Sequence, residues 1–259
     1  MKKIAVIGGN GMLGSDLVKY LSSTYSVTSI TKDNYAQNTQ KEFDIVINAN
    51  GNSRRYWANQ NPRDDFFSST VSVINSIFDF PSKFFIYVSS SDVYENHTAK
   101  KYTKEGDSTV STNLSPYGFH KHLAEVIVKK YKEKFLILRC SMILGSNLRK
   151  GPIYDIIQNQ PLYITLSSRL QLITTQAIAQ IIKTLLKKSV VNQTLNIGGD
   201  GSFHFARIQK FLKKKIRISA DAETQTYEMS VRKIKKLYPK LKTSEEYLQE
   251  FLKLLCKNA

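Results

Sequence analysis

The segment that most limits what this chain can become lies at its start. Lys3–Ile7 is a short apolar run, and Gly8-Gly9-Asn10-Gly11-Met12-Leu13-Gly14 follows at once. Leu13, Leu17, Val18 and Leu21 then recur at helical spacing. An unbroken apolar run suits a parallel strand buried on both faces, and the periodicity after it suits an amphipathic helix. Glycine lets the backbone turn sharply and brings amides close to a ligand with no Cβ between. The helix N-terminus adds unpaired N–H donors and a partial positive charge, so Gly8, Gly11 and Gly14 form a natural cradle for a pyrophosphate. The alternative is a glycine-rich turn with a purely structural role.

Further along, Ser26–Ile30, Asp44–Asn48 and Phe84–Val88 read as strands, with a helix marked by Phe66, Val71, Ile74 and Phe78 before the last of them. Ser115 is placed as N-cap and Pro116 in the first turn of a helix running to Lys132, followed by a strand over Phe135–Leu138. This alternation predicts an α/β fold, a Rossmann-type doubly wound parallel sheet. From about Gly145 the pattern loosens. Gln176–Leu186 still reads as helix, Thr194–Ile197 as strand, and Val231–Leu237 and Ser244–Leu255 as amphipathic helices. The expected division is a dinucleotide-binding domain over 1–150 and a smaller substrate-side lobe over 151–259, with 170–198 folding back onto the sheet. Between Ile30 and Asp44 the chain is too short for a usual helix and strand, so an abbreviated adenine pocket is expected.

The 259 residues, 41% hydrophobic and 23% charged, suit a folded globular protein. No uncharged apolar stretch approaches the ~18 residues of a membrane span, and the start is broken by glycines too early for a signal peptide, so no membrane partner and a cytoplasmic location are expected. Cys140 and Cys256 read as free thiols, and no metal is expected. The net charge of +17 has two readings: an anion-gathering field, or lysines spread over solvated helices such as those around Lys213–Lys215 and Lys233–Lys236. No aromatic-basic stripe argues for nucleic acid as a partner.

Tyr117 and Lys121, four apart on the predicted helix, share one face. A phenol is a poor base at neutral pH, and a nearby ammonium is expected to lower its pKa. Such a pair exchanges a proton with a substrate alcohol or ketone while a nicotinamide exchanges hydride. Ser90, at the end of a central strand, is the candidate to hold the substrate oxygen. Tyr238 and Lys242 repeat the spacing and read as surface helix. At the end of the second strand, Thr31 and Lys32 occupy the ribose position where an acid selects NAD. Lys32 suits a 2′-phosphate, which favours NADP over NAD, although Asp33 is one residue away.

With Val88-Ser89-Ser90-Ser91-Asp92-Val93-Tyr94, Ser115-Pro116-Tyr117-Gly118 through Lys121, Leu138-Arg139 to Gly145 and Leu195-Asn196-Ile197-Gly198-Gly199 added to the glycine turn and Ile45–Ala49, the chain resembles the extended short-chain dehydrogenase/reductase family, the nucleotide-sugar epimerase, dehydratase and reductase group. The resemblance implies that Ser90, Tyr117 and Lys121 are catalytic. It implies that Asn10, Gly11, Met12 and Leu13 line the pyrophosphate, that Ala49, Asn50 and Gly51 flank the adenosine side, and that Arg169 lies near substrate phosphates, with Ser91 also substrate-facing. Dehydratases of the group carry Asp-Glu where Ser91 and Asp92 stand, which argues against 4,6-dehydration. Asp92 is either a second acid/base or a turn cap. Thr70 and Met142 replace asparagines common in the group. The resulting expectation is an NAD(P)-dependent reductase of a keto nucleotide sugar, the alternatives being an epimerase with retained NAD or a non-catalytic NAD(P)-binding regulator. Relatives often form a homodimer through the helix bearing Tyr117 and its neighbour.

Overall fold

The structure is a computed structural model that describes residues 1–106, 112–212 and 214–258, with side chains of the last helix through Leu255. Lys213 and the Cys256 side chain therefore lie outside the described residues. The first half alternates as β1 (Lys3–Ile7), α1 (Met12–Leu21), β2 (Ser26–Ile30), α2 (Tyr35–Asn38) and β3 (Phe43–Asn48). Helices α3 (Arg55–Gln60), α4 (Pro62–Phe66) and α5 (Ser72–Asp79) follow, then β4 (Ser82–Ser90), α6 (Pro116–Tyr131) and β5 (Phe135–Cys140). Beyond these come β6 (Met142–Leu144), α7 (Pro152–Ile157), β7 (Leu162–Ile164), β8 (Arg169–Leu170), β9 (Leu172–Thr174), α8 (Thr175–Lys187) and β10 (Gln193–Ile197). The chain closes with β11 (Phe203–His204), β12 (Ile218–Glu223), α9 (Arg232–Leu237) and α10 (Ser244–Asn258).

Six parallel strands form the central sheet in the order β10-β5-β4-β3-β1-β2. Alternate residues of each strand face opposite layers. Ile4, Val6, Phe84, Ile86, Leu136 and Leu138 pack beneath α1 and α8, whereas Ala5, Phe85, Tyr87 and Ile137 pack beneath α5 and α6. A third core, around Leu144, Leu162, Phe203, Phe205 and Phe251, holds the C-terminal elements together. The sheet stops at β2. The stretch from Thr31 to Glu42 contains only the four residues of α2, so the edge strand that usually lies outside the second strand is missing, as the short spacing implied.

Several local expectations are corrected. The helix marked by Phe66, Val71, Ile74 and Phe78 forms, but Phe66 and Phe78 are 37% and 57% exposed. A π-helical turn over Phe67–Val71 joins α4 to α5, and its wider turn moves the inward face to Ser69, Thr70, Val73, Ser76 and Ile77. Tyr238 is not on a surface helix: it ends α9, is buried, and donates its hydroxyl to Gln180 Oε1 at 2.9 Å. Lys214 and Lys215 lie in non-helical chain, while Lys233, Lys235 and Lys236 are on α9. Cys140 is a buried free thiol. Among the described residues no helix is long and apolar enough to cross a membrane.

Candidate active site

In an open parallel sheet, ligands bind beyond the carboxyl ends of the strands where the strand order reverses. Here that point lies between β1 and β3. The turn after β1 is built by contacts only glycine permits. Gly8 has φ +83°, and a Cβ there would stand 3.0 Å from Ala49 O. A Cβ on Gly14 would stand 2.0 Å from Gly8 O, so α1 packs directly on the turn. Gly11 is the N-cap of α1 and makes no side-chain cap bond, which leaves the first-turn amides of Met12 and Leu13 for an outside acceptor. Asn10 is exposed beside them. Amides at a helix N-terminus with no Cβ in the way fit a dinucleotide diphosphate.

The walls of this cleft are tied to the turn. Ala49 N donates to Ile7 O at 3.0 Å, and Asn50 N to Asn48 Oδ1 at 3.1 Å, which sets Ala49, Asn50 and Gly51 against Gly8. On the other side Asp16 accepts from Ser146 Oγ at 2.6 Å and Thr175 Oγ1 at 2.6 Å, and so fastens the loop after β6 and the start of α8 to α1. At the end of β2, Thr31 N donates to Asn34 Oδ1 at 2.8 Å and Lys32 is exposed.

The second cluster comes from β4 and α6. Ser115 caps α6, accepting from Gly118 N at 3.3 Å, with Pro116 in the first turn. Gly118 lets the helix start against the chain after β4: a Cβ there would lie 2.1 Å from Asp92 O. The helix thus presents Tyr117 and Lys121 inward beside Ser90, all three nearly buried at 8%, 5% and 9% exposure. Lys121 Nζ donates to Val88 O at 3.5 Å and lies 5.3 Å from the Tyr87 ring centroid.

Burial pushes the Tyr117 phenol above its ordinary value, and the Asp92 carboxylate adds to that, while a hydrogen bond with the Ser90 side chain opposes it. The expectation that the ammonium would lower the phenol is therefore reversed here. Burial also lowers Lys121, to about 8, against the raising pull of Asp65 and Glu125. Desolvation disfavours each charged form and outweighs the neighbouring charges.

Asp92 is not a turn cap. Ser90 is the residue that caps the turn, accepting from Asp92 N at 3.2 Å. The Asp92 carboxylate accepts from Ser90 Oγ at 2.9 Å, Tyr227 Oη at 3.1 Å and Arg55 Nη1 at 3.3 Å. Arg55, Asp92 and His97 line a cleft of about 210 Å³ that continues past Ser115. His97 stacks on Tyr227, with centroids 3.9 Å apart and planes 13° off parallel. Ser91 is buried next to Asp92. Arg169 is half-buried on β8, and its carbonyl accepts from Tyr227 N at 2.8 Å, which ties its backbone to the segment that carries Tyr227. Thr70, on the π-turn, donates to His120 O at 3.0 Å. Buried Asp65 accepts from Ser69 Oγ at 3.2 Å and Asn52 Nδ2 at 3.0 Å, and its other oxygen meets His120 Nδ1 at 2.7 Å.

Sequence reasoning missed Tyr227, His97 and the Asp65–His120 pair. Tyr227 lies 135 positions from Asp92 in the chain, and nothing local marks it.

A family model described as the NAD dependent epimerase/dehydratase family matches residues 4–198. The chain belongs to that family and is an enzyme of the NAD(P)-dependent oxidoreductase or epimerase type, with a nicotinamide dinucleotide as cofactor. Solved structures share its fold along nearly the whole chain. A dTDP-4-dehydrorhamnose reductase from Clostridium acetobutylicum is 16% identical with TM-score 0.80, over 98% of this chain and 99% of that one. A UDP-galactose 4-epimerase is 21% identical with TM-score 0.78, over 99% of each chain. A dTDP-4-dehydrorhamnose reductase from Bacillus anthracis in complex with NADP is 16% identical with TM-score 0.76, over 96% and 97%.

Proposed function

We propose that this enzyme reduces a keto group of a nucleotide sugar, with Tyr117 as proton donor and NADPH as the preferred cofactor. The observation that carries the reading is the placement of the Tyr117 phenol, nearly buried on α6 one turn before the equally buried Lys121, where burial favours its protonated form. A phenol kept protonated is suited to giving a proton to a developing alkoxide. A nicotinamide dinucleotide supplies the hydride when bound. Ser90 positions the carbonyl oxygen, and Lys121, beside Gly51, supplies positive charge as the phenol ionises. Met12, Leu13 and the glycine turn hold the diphosphate, with Asn10 beside it, and Ala49, Asn50 and Gly51 flank the adenosine side. Ser91 faces the substrate. Arg169 suits a substrate diphosphate, since a guanidinium binds phosphate oxygens in pairs. Exposed Lys32 at the end of β2 suits the 2′-phosphate of NADP. The structural neighbours named as a dehydrorhamnose reductase and a UDP-sugar epimerase are consistent with both this reading and its runner-up, epimerisation with retained NAD. The outward Phe67 and Phe78, with Val126 and Tyr131 of α6, form an exposed apolar face that suits a homodimer.

The test is oxidation of NADPH against a panel of 4-keto nucleotide sugars. Turnover with freely exchanging NADPH, reduced by about 10²–10⁴-fold in Tyr117→Phe, is the expected result. Full turnover in Tyr117→Phe, or NAD that stays bound through purification with interconversion of epimers, overturns it.

A further inference from the structure

Resting on the reading that Gly51 and Lys121 border the nicotinamide dinucleotide, we infer that Asp65 is a positioning residue for that cofactor. Its carboxylate fixes the loop after β3 to α6, and so sets where Gly51 stands against the Lys121 ammonium. Asp65 lies on α4 and is fully buried. A carboxylate in the interior is costly unless hydrogen-bonding partners surround it. Here the partners come from three separate elements. Asn52 Nδ2, in the loop after β3, donates to Oδ1 at 3.0 Å, and Ser69 Oγ, on the π-helical turn, donates to the same oxygen at 3.2 Å. His120 Nδ1, on α6, meets Oδ2 at 2.7 Å. The π-turn supports this convergence, since Ser69 and Thr70 both point inward and Thr70 donates to His120 O at 3.0 Å. An apolar residue at position 65 would fill the space without the desolvation cost, so what the carboxylate adds is placement rather than stability.

The loop that Asp65 holds has no strand or helix of its own between Asn48 and Arg55. Its start is fixed by the bonds from Ala49 N to Ile7 O and from Asn50 N to Asn48 Oδ1. At its far end Asn52 closes a turn: Oδ1 accepts from Arg54 N at 2.8 Å, and Nδ2 donates to Arg54 O at 3.0 Å. The second bond from Nδ2, to Asp65, anchors that turn to the interior. Gly51 lies between the two anchors. A Cβ there would stand 3.2 Å from Lys121 Nζ and 3.6 Å from both Ser69 Oγ and Ser68 O, so loop, π-turn and ammonium meet at this residue. His120, next to Lys121 in the chain, takes the other oxygen of the same carboxylate. One side chain therefore holds both the wall of the cleft and the helix turn that faces it.

The test is a double-variant cycle read by fluorescence titration with NADPH or NADH, whichever the wild type binds more tightly, well below the melting temperature of each variant. Asn52→Ala is expected to weaken the dinucleotide about tenfold, the loss of one hydrogen bond to a charged group. Asp65→Ala is expected to weaken it at least as much, and the double variant no more than Asp65→Ala alone, because the two residues act through one bond. Losses that multiply in the double variant overturn the inference. A role in stability alone lowers the melting temperature and leaves the affinity of the folded protein unchanged, and that outcome overturns it too. If Asp65→Ala does not fold, Asn52→Ala decides by the same two measurements. Gly51→Ala separates the inference from the reading beneath it. Unchanged affinity there overturns the placement of this loop at the dinucleotide, and the inference with it; a loss there beside an unaffected Asn52→Ala overturns the inference alone.

Discussion

Gly51 and Lys121 face each other at the cleft: a Cβ added at Gly51 would stand 3.2 Å from Lys121 Nζ. The Gly51 backbone has φ +114°, a conformation that side chains resist. Gly51→Ala therefore meets strain and a displaced ammonium together. Stability is expected to fall by about 1–3 kcal/mol. NADPH binding, read by fluorescence titration, is expected to weaken about tenfold, since a misplaced binding group costs on the order of 1.4 kcal/mol. Unchanged affinity would show that the loop after β3 does not border the nicotinamide dinucleotide.

Lys121 is also a cost to the fold. Burial lowers it from the ordinary 10.5 to about 8 in the folded chain, so the unfolded chain binds more protons between those two values. Stability contributed through this group therefore rises with pH from about 8 to 10.5, and the full penalty is present below 8. Lys121→Met is expected to raise stability at pH 7 by about 1–3 kcal/mol while abolishing turnover. Urea unfolding at neutral and alkaline pH checks this: the gain should shrink as pH rises.

Gly14 and Gly106 make a matched pair. A Cβ at Gly14 would lie 2.0 Å from Gly8 O, whereas one at Gly106 meets nothing within 4 Å. Gly14→Ala is expected to lose about 3 kcal/mol or more and to lose dinucleotide binding, because backbone cannot step aside as a side chain can. Gly106→Ala should leave melting temperature and binding unchanged in the same thermal-shift series.

Arg139 and Glu125 are both fully buried, joined by Arg139 Nη2 to Glu125 Oε2 at 2.6 Å and Nε to Oε1 at 3.0 Å. Ser89 Oγ donates to the same carboxylate at 2.6 Å. Glu125→Gln leaves a buried guanidinium without its counter-charge and is expected to cost about 3–5 kcal/mol by chemical denaturation. Replacing both residues by apolar ones of similar volume should cost less than the single change, because both desolvation penalties then vanish.

Much of the fold and part of the site could be read along the chain. Local rules hold where neighbours in sequence supply the physics. Apolar runs become buried parallel strands, the Gly8–Gly14 spacing makes the turn, Ser115 and Pro116 start α6, and the span from Ile30 to Asp44 is too short to hold another strand. Tyr117 and Lys121 share a face because helical geometry requires it. The helix through Phe66 and Phe78 forms as read, but a π-turn changes its period, and periodicity assumes a constant one, so both rings face outward.

What the sequence by itself determined is thus the succession of the six sheet strands and the main helices between them, the glycine turn after β1 and the pairing of a phenol with an ammonium on one helix turn. Tertiary structure alone decided the charge state and company of those groups. Burial, a property of the packed whole, raises Tyr117 and lowers Lys121 against the simple expectation from their proximity. Folding also brings Arg55 and Tyr227 to the Asp92 carboxylate. Desolvation and long-range contact depend on every element packed around a residue, and no short stretch of chain encodes them.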